Sequence, residues 1–141
     1  MKIQISGQYG DADADKAFWP MQRQLNACFE RHVSGVYLQS IRMFAIAFRV
    51  SGRISDFHPA GPDRLMLFIK RQRMTMDMVY ARQQWASIDN SALAPVVSRD
   101  IAICVDMMIE RAMRAREVVE EERLRVDIAK ALADFDQHFV A

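Results

Sequence analysis

Cysteine is scarce in this chain, neither sign of charge dominates it, and no apolar run approaches the length of a membrane span. Its two cysteines, Cys28 and Cys104, sit inside apolar helical patterns with no CxxC neighbour, so no disulfide framework is needed to explain folding. Two buried free thiols are the expected state, with one bond between them as the alternative. Nineteen basic against eighteen acidic residues leave a net charge of +1. No overall field therefore draws the chain to nucleic acid or to an anionic membrane. The longest apolar stretches, such as Met43 to Phe48, fall far short of the roughly twenty residues that a spanning helix requires. Residues 1–20 lack a charged n-region followed by an apolar h-region and a small-residue cleavage site, and the expected compartment is the cytoplasm.

Signatures of catalysis and of cofactor binding are missing as well. There is no phosphate-cradling GxxxxGK[ST], no GxGxxG after a strand, no HExxH and no GxSxG. The three histidines, His32, His58 and His138, are widely separated. A nucleophilic pair of Cys28 with one of them would need a reactive thiol, whereas an apolar stripe keeps thiols buried and inert. The chain is therefore read as not an enzyme, with no cofactor, no metal and no catalytic residue, because function has to be argued from a site.

What is present is enough apolar material for one core. With 141 residues, 51% hydrophobic and 26% charged, the chain is expected to form a single domain over residues 1–141. Its organising stretch is Arg64 to Trp85, two strand-like segments joined at Lys70-Arg71-Gln72-Arg73. Met74, Met76, Met78 and Tyr80 alternate with Thr75, Asp77, Val79 and Ala81, the period of two that marks a half-buried strand. The methionines, ten in all, read as flexible fillers of an irregular core, against the alternative of an adaptable binding surface. Basic residues Arg64, Lys70, Arg71, Arg73 and Arg82 read as a solvated hairpin tip that discourages edge pairing, against a phosphate-contacting stripe.

Around that unit the pattern predicts a strand over Lys2 to Ser6 and an apolar interior strand over roughly Ile41 to Val50. A helix from about Asp13 or Asp15 to Val33 carries Met21, Leu25, Cys28 and Phe29 at helical spacing, with Gly35 available for a left-handed stop. Pro20 lies in or near its first turn or kinks it, and His32 is placed to meet its terminal carbonyls. A loop occupies Arg53 to Asp63. A long helix starts between Ser91 and Pro95 and buries Val97, Ile101, Cys104, Val105, Met108 and Ala112. After a polar stretch with a possible break near Arg116, Leu124, Ile128, Ala131, Leu132 and Phe135 define a last helix. The expected fold is α+β: an antiparallel sheet of about four strands covered on one face by a single layer of about three helices.

Two acidic clusters remain. Asp11, Asp13 and Asp15 mimic the start of a calcium loop, but the places that need Gly and Glu hold Lys16 and Gln22, so they read as a helix cap. Glu117, Glu120, Glu121 and Glu122 read as a solvated helical face or as a surface for a basic partner. The opening strand ending in Ile5-Ser6-Gly7, the helix, the apolar strand, the alternating MTMDMVYARQQW and the helix with ICVDMMIERAM together resemble small immunity proteins of bacterial polymorphic-toxin and contact-dependent inhibition systems. That resemblance implies binding of a cognate toxin C-terminal domain in the cytoplasm, with no membrane and no direct nucleic-acid contact. The toxin-binding candidates it implies are Asp11, Asp13, Asp15, Glu117, Glu120, Glu121 and Glu122. A regulatory or homodimeric module, paired through a sheet edge or a Met-rich face, is the alternative, and a nucleic-acid binder the third class.

Overall fold

The computed structural model describes residues 1–8, 18–51, 64–70, 72–117 and 119–139. The order of elements is β1 (Lys2–Gln8), α1 (Phe18–His32), β2 (Met43–Ser51), β3 (Arg64–Lys70), β4 (Arg73–Ala81), α2 (Arg82–Ser87), α3 (Asn90–Arg114) and α4 (Glu121–His138). The strands line up as β1-β2-β4-β3. β1 and β2 are parallel, β2 and β4 are parallel, and β3 runs antiparallel to β4.

The expected antiparallel sheet is thus overturned: β1, β2 and β4 form an all-parallel block, and β3 lies antiparallel at its edge. Connectivity is the cause. A helix between two strands carries the chain back to the end where the first strand began, so β1-α1-β2 has to pair in parallel. The tight turn at Gln72 then brings β4 back against β3, and β4 inserts between β3 and β2. Among the described residues the architecture is α+β with four helices, where about three were expected. The additional one, α2, covers Arg82–Ser87, directly after β4.

Register aligns Ile3 with Phe44 and Phe44 with Met74, then Ile5 with Ile46 and Ile46 with Met76. All six side chains are buried, and Met21, Leu25, Phe29, Val97, Ile101, Met108, Leu124 and Phe135 from the long helices join them in one cluster. Met74, Met76 and Met78 are fully buried. They are core, each contributing about 1.5–3 kcal/mol of apolar transfer free energy, and no Met-rich binding face is left on this strand. The opposite face carries Lys2, Gln4, Ser6, Ala45, Arg49, Thr75 and Asp77, the last paired with Arg49 at 3.8 Å.

Two turns depend on residues with positive φ. Gln72, at φ 67°, presents its carbonyl to the Arg42 N–H (2.6 Å), which ties the hairpin to the start of β2. Arg116, at φ 62°, ends α3. Its N–H bonds the Met113 carbonyl and the Glu117 N–H bonds the Ala112 carbonyl, the paired closure of a Schellman motif with arginine where glycine is usual. Gly35, by contrast, has no positive φ, and a Cβ there would come within 3.2 Å of the Tyr37 ring, so close approach accounts for it. Pro95 falls at the sixth residue of α3, deeper than the first turn that was expected to hold it, where it and the Ser91 it cannot bond are both exposed.

The left-handed conformation costs an L residue about 1–2 kcal/mol, while glycine's added freedom in the unfolded chain takes back about 0.5–1 kcal/mol. Arg116→Gly should therefore raise stability by a few tenths to about 1 kcal/mol. Urea unfolding would show this as a higher midpoint with an unchanged m-value.

Candidate protein-binding surface

After α3 stops, the chain crosses the α1–β2 connector before α4 begins. Leu38 and Val119 form an isolated antiparallel bridge, and the Glu120 N–H bonds the Tyr37 carbonyl at 2.8 Å. Glu117 completes the crossing. One carboxylate oxygen accepts the N–H groups of Ser40 and of Ile41 (3.0 Å), and the other accepts the Ser40 hydroxyl at 2.6 Å. Burial works against its ionisation, yet the donors from Ser40 and Ile41 outweigh that cost and hold its carboxyl below the usual range. Glu117 is thus spent on the fold.

Glu120, Glu121 and Glu122 open α4, where carboxylates also complement the positive end of the helix dipole. Glu120 pairs with Arg123 at 2.8 Å and Glu121 with Arg125 at 3.1 Å, and Arg125 also reaches Asp106 on α3. Arg123 is held three ways: by Glu120, by the Val36 carbonyl that it bonds at 2.8 Å, and by the Tyr37 ring 4.7 Å beneath its guanidinium. The Tyr37 hydroxyl in turn donates to Asp127 at 2.6 Å.

Two aliphatic side chains stand on this corner. Val36 is 61% exposed and Val126 is 47% exposed. Val126 shares a shallow depression of about 420 Å³ with Glu120, Glu121, Glu122 and Arg123. The result is an apolar spot beside a fixed guanidinium and a carboxylate rim. Sequence reasoning passed over both valines. Val126 could have been found, because it lies two residues from both Leu124 and Ile128 and so falls on the polar side of the α4 stripe. Asp11, Asp13 and Asp15 lie outside the described residues, as does His58.

Other polar groups serve the packing. Asp134 on α4 sits 2.8 Å from His32 Nε2, 3.0 Å from Arg31 Nη1 and 2.9 Å from His138 Nδ1, clamping α4 to the end of α1. His32 thus meets a carboxylate instead of the helix carbonyls. The His32 hydrogen bond, opposed by burial and reinforced by Arg31 and His138, keeps the Asp134 carboxyl below its ordinary range. Cys28, beside this cluster, is a buried thiol pushed upward by desolvation and by Asp134, and so is not an activated nucleophile.

Asp100 is the polar residue that the pattern did not reveal. It is 0% exposed on α3 and accepts the Tyr80 hydroxyl of β4, with Arg99 Nε 3.2 Å from its other oxygen. Tyr80 lies between Phe48, stacked at 5.9 Å, and Trp85 at 5.1 Å. Desolvation raises the Asp100 pKa even though Tyr80 and Arg99 pull it down, and it raises the Tyr80 and Cys104 pKa values as well. Asp100 and Tyr80 are both buried, and the bond between them fastens the sheet to α3. Among the described residues, no three His, Cys, Asp or Glu side chains converge to hold a metal ion, and no helix is long and apolar enough to cross a membrane.

Glu117→Ala strips three donors of their acceptor and should cost about 1–2 kcal/mol in denaturant unfolding. For Asp100, a folded-state pKa above the unfolded value means that the folded state holds the extra proton. Its contribution is complete below about pH 4 and is lost as pH rises through the folded pKa. Asp100→Asn keeps a hydrogen-bond acceptor without the charge. Its stability relative to wild type should therefore improve steadily as thermal melts are taken from pH 4 toward pH 7.

A comparison with family models, with curated proteins and with solved structures finds no match to this chain.

Proposed function

We propose that the chain is a non-catalytic immunity protein that docks on a toxin domain and neutralises it. The observation supporting this is the corner at the head of α4, where exposed Val36 and Val126 adjoin Arg123 and the carboxylates of Glu120, Glu121 and Glu122. Residues 120–127 carry four carboxylates and two guanidiniums. An acidic rim of this kind suits a basic cleft, such as nucleic-acid-cleaving enzymes possess, and it accelerates encounter as well as discriminating between partners. Arg123 and Tyr37 are already fixed by their neighbours, so little ordering has to accompany binding. Inhibition by docking needs no nucleophile and no cofactor.

Co-expression with the toxin domain encoded beside this chain is the direct test: the proposal expects rescue of growth and co-purification at fixed stoichiometry. Glu120→Lys combined with Glu122→Lys should weaken the complex at least tenfold, chiefly in the association rate at low salt, with only a modest fall in melting temperature from the lost Glu120–Arg123 pair and helix-dipole contact. Absence of rescue, or affinity indifferent to this charge reversal, would contradict the reading.

A further inference from the structure

The link between α3 and α4 is a break that the local sequence does not ask for. From Val96 to Ala141 the chain holds no glycine and no proline, and Ala115, Arg116, Glu117 and Glu120 are all good helix formers. Helix α3 nevertheless stops at Arg114, because Arg116 takes φ 62° and turns its own N–H and that of Glu117 back onto the Met113 and Ala112 carbonyls. That left-handed conformation is unfavourable for an arginine. What holds it there comes from another part of the chain: Ser40 and Ile41 on the Glu117 carboxylate, Leu38 bridged to Val119, and the Tyr37 carbonyl on the Glu120 N–H.

Beyond the link, α4 is seated by Leu124, Ile128, Ala131 and Phe135, all buried, and by Asp134 against Arg31 and His32 of α1. Nothing in that seat requires the helix filling it to come from the same chain. With Arg116 relaxed to the right-handed conformation, α3 and α4 run on as one helix. At about 100° per residue, Leu124 then lies about 120° around the axis from Ala112, the last buried residue of α3. At about 1.5 Å per residue, His138 stands roughly 35 Å beyond Ala115. An α4 so placed is out of reach of its own core and has its apolar stripe turned away from its own sheet. A second copy that has vacated its seat in the same way offers the complementary surface.

We propose that Arg116 is an exchange hinge, through which two copies of this chain swap α4, each seating it on the α1 and α3 of the other. Contacts within the seat are the same in both forms, so the link and the protein concentration set the balance. In the link, strain at both arginines is relieved, while both Glu117 clasps and both Leu38–Val119 bridges are given up. Glu117, Val119 and Glu120 leave the connector as the helix runs on, and the exchanged dimer therefore lacks the corner at Val36 and Val126. The inference does not depend on what that corner binds.

The test holds the full chain at its urea midpoint at high protein concentration, returns it to native buffer and sizes it by gel filtration with light scattering. A dimer is expected that persists on dilution, because exchange back requires α4 to unseat. In its amide spectrum Leu38, Ser40 and Ile41 move, while His32 and Asp134 keep their monomer positions. Arg116→Gly removes the strain and weakens the run-on helix, so it should lower the dimerisation constant at least tenfold. Arg116→Ala, equally strained in the monomer but a better helix former, should raise it about twofold. A dimer in neither wild type nor Arg116→Ala, a dimer that dissociates on simple dilution, unmoved Ser40 and Ile41 signals, or equal dimerisation of wild type and Arg116→Gly would overturn the inference.

Discussion

The structure depends on β4 being wedged between β2 and β3 with its methionine face turned inward. A central strand in which Met74, Met76 and Met78 are fully buried needs helices over that face, and α3 and α4 supply them after the chain leaves the sheet. The Tyr80–Asp100 hydrogen bond fixes where α3 lies on the sheet. A buried carboxylate is costly unless it is paired, so the bond constrains the position of α3 more tightly than apolar contact alone would. Once α3 is placed, its closure at Arg116 sends the chain back across the α1–β2 connector.

That crossing is where fold and candidate function meet. Glu117 binds the connector, the Glu120 N–H binds Tyr37, and Arg123 spans Val36 and the Tyr37 ring. The corner that presents Val36 and Val126 is consequently built from three segments locked together. Asp134 performs the equivalent task at the far end of α4, where it gathers Arg31, His32 and His138. Held at both ends, α4 presents its acidic first turn on a rigid support. A docking surface gains from such support because the entropy of ordering has already been met during folding.

Much of this was legible in the residues. The period of two in Met74 to Tyr80 identified the organising strand and its inward face, and helical spacing picked out Val97, Ile101, Cys104, Val105, Met108 and Ala112, all of them buried. Strand direction was misjudged because alternation carries no information on polarity. Only the helix between the first two strands does, and it required a parallel pair. The four glutamates near residue 120 look alike in sequence, yet Glu117 turns inward to Ser40 and Ile41, 76 residues or more away. Separation of that order leaves no local signature. Asp100 was hidden for a related reason: it occupies a core position of α3, and its partner Tyr80 lies on a different element.

The central claim is that partners approach at the corner formed by the connector and the head of α4. Hydrogen exchange of the chain, alone and in complex with a toxin domain of the kind proposed as its partner, tests that claim directly. Slower exchange on complex formation is predicted across residues 34–38 and 119–126, with the far face of the sheet around Thr75 and Asp77 unchanged. Protection confined to that far face, or to α2 and the first turns of α3, would contradict the account.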